Sequence, residues 1–203
     1  MLTKKKLNSF MKLVFATQNE NKAQEIQSLL PEYFKIITLK DIRCFDEIPE
    51  TAATLEGNSL LKASFISETY NLNCFADDTG LEIEALDNLP GVYSARYAGP
   101  EKSAAENINK VLLELVGKTE RNAQFRTIIT LILNKSTFTF EGIVRGEIIS
   151  EKRGENGFGY DPIFVPEGEI RTFAEMSLEE KNKHSHRARA FQKMIDFLNE
   201  LKI

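Results

Sequence analysis

The stretch CFADDTGLEIEAL, residues 74–86, sets two carboxylates side by side where an apolar run ends. Cys74-Phe75-Ala76 reads as the end of a buried strand, and Leu81, Ile83 and Ala85 alternate with Glu82 and Glu84 as a second, half-buried strand does. The four residues between them have the composition of a turn, so two strands are expected to meet at an acidic corner. Most acidic pairs in turns only cap or solvate a loop. On extended backbone, however, neighbouring side chains point to opposite faces, which sends Asp77 and Asp78 in different directions: one toward a site, the other into the loop as an anchor. A carboxylate at a strand end suits magnesium, which takes one or two protein carboxylates and fills its remaining shell with water and substrate phosphates. That reading requires a phosphate site elsewhere in the chain.

Working outward, strands and helices alternate. Met11 to Ala16 is a short apolar strand, and NKAQEIQSLL places Ala23, Ile26, Leu29 and Leu30 on one helical face before Pro31 ends it. FKIITL is a second strand, and a polar loop leads to a helix over about residues 58–70 with Leu61 and Phe65 inward. Residues 101–116 form another helix, striped by Ala105, Ile108, Val111, Leu112 and Leu115. AQFRTIITLIL, a turn at Asn134-Lys135-Ser136, and TFTFEGIVRGEII make a long antiparallel hairpin. A last helix carries Ala188, Phe191, Met194, Ile195 and Leu198 at three- and four-residue spacing. The order implies one α/β domain with a mixed sheet over residues 11–203.

Composition narrows the setting. With 203 residues, 42% of them hydrophobic, the chain can bury one sizeable core. Its net charge of -4, with Lys and Arg scattered, argues against a nucleic-acid duplex or an anionic membrane as the main partner. Only Cys44 and Cys74 are present, too far apart for a redox pair or a zinc set, which fits a reducing cytoplasm. The N-terminus MLTKKKLNSFMKLVFA imitates a signal peptide, but Lys12 interrupts its apolar part and polar TQNENK follows, so residues 1–10 read as a flexible tail. No apolar run approaches the roughly 20 residues needed to cross a bilayer.

Three further segments could build the phosphate site. FATQNENK, residues 15–22, is a strand, a polar turn and a helix start, where free backbone N–H groups favour an anion; an ordinary cap at Asn19 or Asn21 needs the same residues. GENGFGYDPIF, residues 154–164, surrounds Phe158 and Tyr160 with glycines that let backbone approach a ligand and an aromatic stack on a base, or that merely make a tight turn. EMSLEEKNKHSHRARAF, residues 175–191, holds a capping box, Ser177 with Glu180, then Lys181, His186 and Arg187, which are either a solvated face or the basic side of a site.

Taken in order, FATQNENK, ADDTGLEIEAL running into LPGVYSARYAG, GFGYDPIF and AEMSLEEKNKHSHRA resemble the motifs of the inosine triphosphate pyrophosphatase family, from about Met11 to the last helix. The resemblance implies an elongated, two-lobed α/β fold around a mixed, highly twisted sheet, a cleft between the lobes, a homodimer, and hydrolysis of non-standard purine nucleoside triphosphates such as dITP, ITP and XTP with Mg2+. It implies that Asp78 is the general base and a metal ligand, with Glu50 the second acidic group at the metal. Thr17, Asn19 and Lys22 would hold phosphate, Lys62 would add a phosphate contact, and Thr79 would touch substrate. Phe158 would stack on the purine in a loop shaped by Gly159, Tyr160 and Asp161, while Lys181, His186 and Arg187 would contact base and phosphate. Gln18 stands in the phosphate turn where Gly or Ser is common, Thr79 replaces a frequent Ser, and His184 takes a usually apolar place. Two other readings are a nucleotide-binding sensor that does no chemistry and a related pyrophosphatase acting on standard or modified pyrimidine nucleotides.

Overall fold

The structure is a computed structural model and describes residues 11–201; the expected tail at residues 1–10 lies outside them. Seven strands form one mixed sheet: β1 (Met11–Phe15), β2 (Phe34–Ile37), β3 (Cys74–Ile83), β4 (Leu89–Gly91), β5 (Asn122–Leu133), β6 (Ser136–Ile148) and β7 (Phe164–Pro166). Their order is β2-β1-β3-β5-β6-β7, with β4 on the free part of β3. The first three strands run parallel and the rest pair antiparallel. Five helices flank the sheet: α1 (Glu20–Gln27), α2 (Leu55–Tyr70), α3 (Ala104–Glu114), α4 (Leu178–His184) and α5 (His186–Glu200). The mixed α/β fold and the hairpin agree with the sequence. The β5–β6 turn is Asn134-Lys135, both at positive φ as a two-residue hairpin requires, and Ser136 already belongs to β6.

The acidic corner differs from expectation. Asp77 and Asp78 lie inside a single ten-residue strand, because antiparallel pairing with β5 runs unbroken from Cys74 to Ile83. What changes there is the other edge. β1 pairs with Cys74 and Phe75 and ends, and β4 begins only opposite Leu81, leaving Asp77 to Gly80 without a neighbour on that side. A cleft opens at this gap, where the chain leaves the end of a parallel strand, a position at which α/β sheets commonly hold ligands. Gly80 is dictated by the approach of β4: a Cβ there would lie 2.6 Å from the Gly91 carbonyl oxygen.

The alternation along β3 assigns its side chains to two layers. Phe75 joins Phe15, Ile26, Phe191 and Met194 in a core shared with α1 and α5, while Cys74 and Ala76 join Ala63 and Ile66 of α2. Asp77 therefore points toward α1 and α5, and Asp78 toward α2. Beyond the gap, Leu81 and Ile83 pack with Ile108 and Val111 of α3.

Two helix faces depart from their apolar stripes. On α2, Leu61 is exposed and Phe65 only half-buried; the inward face carries Asn58, Ser59 and Lys62 with Leu55, Ala63 and Ile66. On α3, Ala105 is exposed and Asn107 is buried in its place, donating to the Ala95 carbonyl and accepting from the Ala98 N–H. In both helices the polar residue turns inward because it has buried partners to satisfy. Both cysteines are free and buried, and no helix among the described residues is long and apolar enough to cross a membrane.

Candidate active site

The residues singled out from the sequence converge on one cavity of about 1240 Å3. Thr17, Gln18, Asn19, Lys22, Glu50, Lys62, Asp78, Thr79, Phe158, Gly159, Tyr160, Asp161, Lys181, His186 and Arg187 all line it. They come from the β1–α1 turn, the loop before α2, α2 itself, β3, the loop before β7, and the junction of α4 and α5.

On the α2 face, Lys62 Nζ lies 2.5 Å from Glu50 Oε1 and 3.2 Å from Asp78 Oδ1. Asn58 donates to Asp78 Oδ2 at 3.2 Å and accepts from the Ala52 N–H at 2.9 Å, which ties the Glu50 loop to the strand. Burial pushes the Asp78 carboxyl above the ordinary range despite Lys62 and Lys22, with Glu50 adding to the rise. For Glu50, burial is outweighed by Lys62 and the carboxyl is held low. Among the described residues no group of three or more His, Cys, Asp or Glu is placed to hold a metal. The donor set nevertheless suits magnesium, because two carboxylates converge on one cationic point and magnesium needs few protein ligands beside water and phosphate.

On the opposite face, Asp77 is 1% exposed and lies 3.0 Å from both Lys22 Nζ and Arg187 Nε. Burial opposes its ionisation, but Lys22 and Arg187 outweigh burial and hold the carboxyl well below the usual carboxylate range. Arg187 also donates to Glu25 Oε2 and, at 3.1 Å, to Thr79 Oγ1. Glu25 reaches Lys181 at 2.7 Å, and Lys181 reaches Asp161 Oδ2 at 2.5 Å. Asp161 Oδ2 in turn accepts the Phe158 N–H at 2.8 Å, so an ion-pair chain runs from the phosphate turn to the aromatic loop. The Phe158 ring has Lys181 Nζ 4.8 Å and Arg187 Cζ 5.7 Å from its centroid. Tyr160 is anchored by its hydroxyl to the Ser94 carbonyl at 2.9 Å. His186 is buried and stacked on Phe125 with ring centroids 4.6 Å apart; burial, with Arg187 and Lys181 nearby, drives its pKa well below the ordinary value and keeps it neutral.

The β1–α1 turn is both a cap and part of the cavity wall. Asn19 accepts from the Lys22 N–H at 3.2 Å, and Thr17 Oγ1 accepts from the Asn19 N–H at the same distance. The Gln18 side chain, on the cavity wall, donates to the Asp46 carbonyl at 3.0 Å. His184 is half-exposed, its Nε2 3.8 Å from Glu169. Ser177 and Glu180 form the expected capping box at the start of α4.

Glu25, Asn58, Arg96, Lys102 and Asn107 were not singled out from the sequence. Glu25 carried no signal: it falls off the stripe of Ala23, Ile26, Leu29 and Leu30 and reads as a solvated charge, and its burial follows from Lys181 and Arg187 meeting it.

The Ham1 family profile matches residues 13–197. The chain is 55% identical over 192 residues to the dITP/XTP pyrophosphatase of Flavobacterium johnsoniae, covering 95% of this chain and 100% of that one. It is 44% identical over 189 residues to the dITP/XTP pyrophosphatase of Bacillus subtilis, covering 91% and 96%. Among solved structures, the Ham1 protein of Coxiella burnetii superposes with a TM-score of 0.85 at 40% identity, covering 94% of this chain and 99% of that chain. The Staphylococcus aureus Ham1 protein does so with a TM-score of 0.84 at 39%, covering 93% and 98%. The ordered motifs, the sheet with its gap beside Asp78 and the nearly complete coverage lead to one conclusion: the chain belongs to the Ham1 family.

Proposed function

We propose that this protein hydrolyses the non-standard purine nucleoside triphosphates dITP, ITP and XTP to the nucleoside monophosphate and pyrophosphate. Water adds across one phosphoanhydride bond, and the two phosphate products carry away its oxygen and protons. The observation that carries the reading is the convergence on one cavity of an ionisable carboxylate, Asp78, the cations Lys22 and Lys62, and a loop-borne aromatic, Phe158. The relatives' names give the substrate class.

Asp78 is the group that orients the attacking water and takes its proton. Its Oδ2 is fixed by Asn58 and its Oδ1 by Lys62, so little reorganisation is needed as charge develops. Asp78 and Glu50 would hold a magnesium ion, which when bound supplies charge neutralisation at the phosphate oxygens and acidifies water. Thr17, Asn19, Lys22 and Lys62 hold the phosphates and Thr79 borders them. Phe158 stacks on the base, and Gly159, Tyr160 and Asp161 shape its loop. Lys181, His186 and Arg187 recognise the base: hypoxanthine and xanthine present an oxygen acceptor at position 6 where adenine presents an amino donor. Arg187 uses three of its five N–H donors on Asp77, Glu25 and Thr79, so its orientation is set before substrate arrives. We also read the chain as one domain of two lobes about this cavity, acting as a cytoplasmic homodimer; the motif resemblance supports that reading.

A panel of dITP, XTP, dATP, dGTP, dUTP and TTP with magnesium tests the function through release of pyrophosphate and monophosphate. dITP and XTP are expected to exceed dATP, dUTP and TTP in kcat/KM, with discrimination that can reach roughly 10⁴-fold where a site hydrogen-bonds one group and strands its mismatch. Guanine shares the position 6 oxygen, so a preference over dGTP must come from refusal of its 2-amino group. Absence of pyrophosphate release would leave the sensor reading, and preference for dUTP or TTP the pyrimidine one.

A further inference from the structure

The four inner cations of the cavity are already neutralised. Lys22 is paired with Asp77, Lys62 with Glu50 and Asp78, Lys181 with Glu25 and Asp161, and Arg187 with Glu25 and Asp77. Four cations thus face five carboxylates, one negative charge in excess. Such a floor offers directed N–H donors but no net positive field, and a polyphosphate brings several negative charges to it. Even a divalent ion at Glu50 and Asp78 leaves most of that charge unmet.

Two other cations line the same cavity, Arg96 and Lys102, and neither has a carboxylate partner among the described residues. Both lie on the segment between β4 and α3, which the LPGVYSARYAG motif opens and for which the sequence offered no role. Arg96 is half-buried, its guanidinium over the Tyr93 ring at 5.3 Å, and Lys102 is exposed on the cavity wall. Glu47, also on the wall and exposed, adds negative charge and raises the demand on them.

The segment is built to present Arg96. Buried Asn107 grips the backbone on both sides of it, at the Ala95 carbonyl (3.0 Å) and the Ala98 N–H (2.7 Å). Buried Ser94 accepts the Leu81 N–H at 2.8 Å and donates to the Gly91 carbonyl at 2.6 Å. Its own carbonyl takes the Tyr160 hydroxyl, so the same pin links Arg96 to the loop that carries Phe158. These bonds fix the backbone that carries Arg96, and the Tyr93 ring lies under its guanidinium, so part of the ordering cost is met before a ligand arrives. We propose that Arg96 and Lys102 are polyphosphate-binding residues: they supply the net positive charge that the inner floor lacks and so select triphosphates over monophosphates. The proposal rests on the triphosphate reading above.

The test separates the two. Inorganic tripolyphosphate and dIMP are titrated calorimetrically, with magnesium, into the full chain and into Arg96→Gln, Lys102→Asn and the double variant; Asn suits the positive φ of Lys102. Each single change is expected to weaken tripolyphosphate by roughly tenfold, the scale of one charge-assisted contact, and to flatten its salt dependence. dIMP affinity and Tm are expected to stay at the wild-type values, and Lys102→Arg to keep wild-type tripolyphosphate binding. Unchanged tripolyphosphate affinity in the double variant, or an equal loss for dIMP, overturns the proposal. Hydrolysis of dITP by the unaltered protein decides the broader reading independently.

Discussion

On one face of β3 the Asp77 carboxylate is 1% exposed between Lys22 and Arg187, and one residue later, on the other face, Asp78 keeps 8% exposure beside Lys62 and Asn58. The first is held far below the ordinary carboxylate range by two cations, whereas the second is raised by burial that its cation does not offset. Identical side chains thus acquire different capacities from the parity of a strand. A carboxylate with a strongly depressed pKa is a poor proton acceptor and a good structural anion. One that borders the cavity, its two oxygens fixed by Asn58 and Lys62, is the candidate to act on a bound water.

The largest expected effect follows from that contrast. Asp78→Asn should lower kcat for dITP by about 10³-fold or more, since the amide cannot take a proton. Its stability without metal should match or exceed wild type, because an ionised carboxyl with a raised folded pKa costs stability at neutral pH and the amide does not carry that cost. Stopped-flow kinetics with urea titration checks both halves. Near-wild-type turnover would end Asp78's role as base.

Asp77→Asn should reverse the pattern. It leaves Lys22 and Arg187 facing a neutral amide, and breaking a buried pair from one side costs about 3 kcal/mol. Because the folded pKa is depressed, this contribution is complete above the ordinary aspartate pKa of about 4 and is lost as pH falls toward the folded value. The stability gap between wild type and variant should therefore be full at pH 7 and shrink on acidification below about 4. Turnover should fall less than in Asp78→Asn. A gap that widens in acid would show that Asp77 is not the anchor.

This contrast also marks where sequence reading succeeds. Parity alone sends Asp77 and Asp78 to opposite faces, and the hairpin announces itself through alternation around Asn134-Lys135. The continuity of β3 is hidden, because Asp-Asp-Thr-Gly has turn composition and only pairing with β5 holds it extended. α2 hides its inward face for a related reason: Asn58, Ser59 and Lys62 are buried by partners on β3, β5 and the Glu50 loop, so the apolar stripe points to Leu61, which faces solvent. Glu25 reads as a solvated helix charge until Arg187 and Lys181, more than 150 positions away, are brought against it. Long motifs preserve which residues belong to a site; they do not show which of them hold one another.

Lys22 belongs to both sides of the comparison, since it pairs with Asp77 and still borders the cavity with its side chain 14% exposed. One of its three N–H donors serves the aspartate, and the others remain for a ligand. Lys22→Ala should weaken triphosphate binding by roughly tenfold, the scale of a charge-assisted contact, and monophosphate binding by less. Equal losses for dITP and dIMP would confine Lys22 to its pairing with Asp77.

The smallest effect is expected at Gln18, which occupies a turn position where a small residue is common in the resembling motif. A side chain of that size pointing inward would crowd the phosphate turn between Thr17 and Asn19. Here it borders the cavity with its amide held by the Asp46 carbonyl at 3.0 Å, on an exposed part of the wall. An exposed neutral hydrogen bond contributes little, and surface substitutions away from buried groups stay within about 0.5 kcal/mol, or roughly twofold in an equilibrium. Gln18→Ser should therefore leave kcat/KM for dITP and the urea midpoint within that margin, because the turn is held by Thr17 and Asn19 and not by the amide. A large gain in kcat/KM on removing the side chain would mean that the amide leaves Asp46 and crowds the turn between Thr17 and Asn19 during turnover.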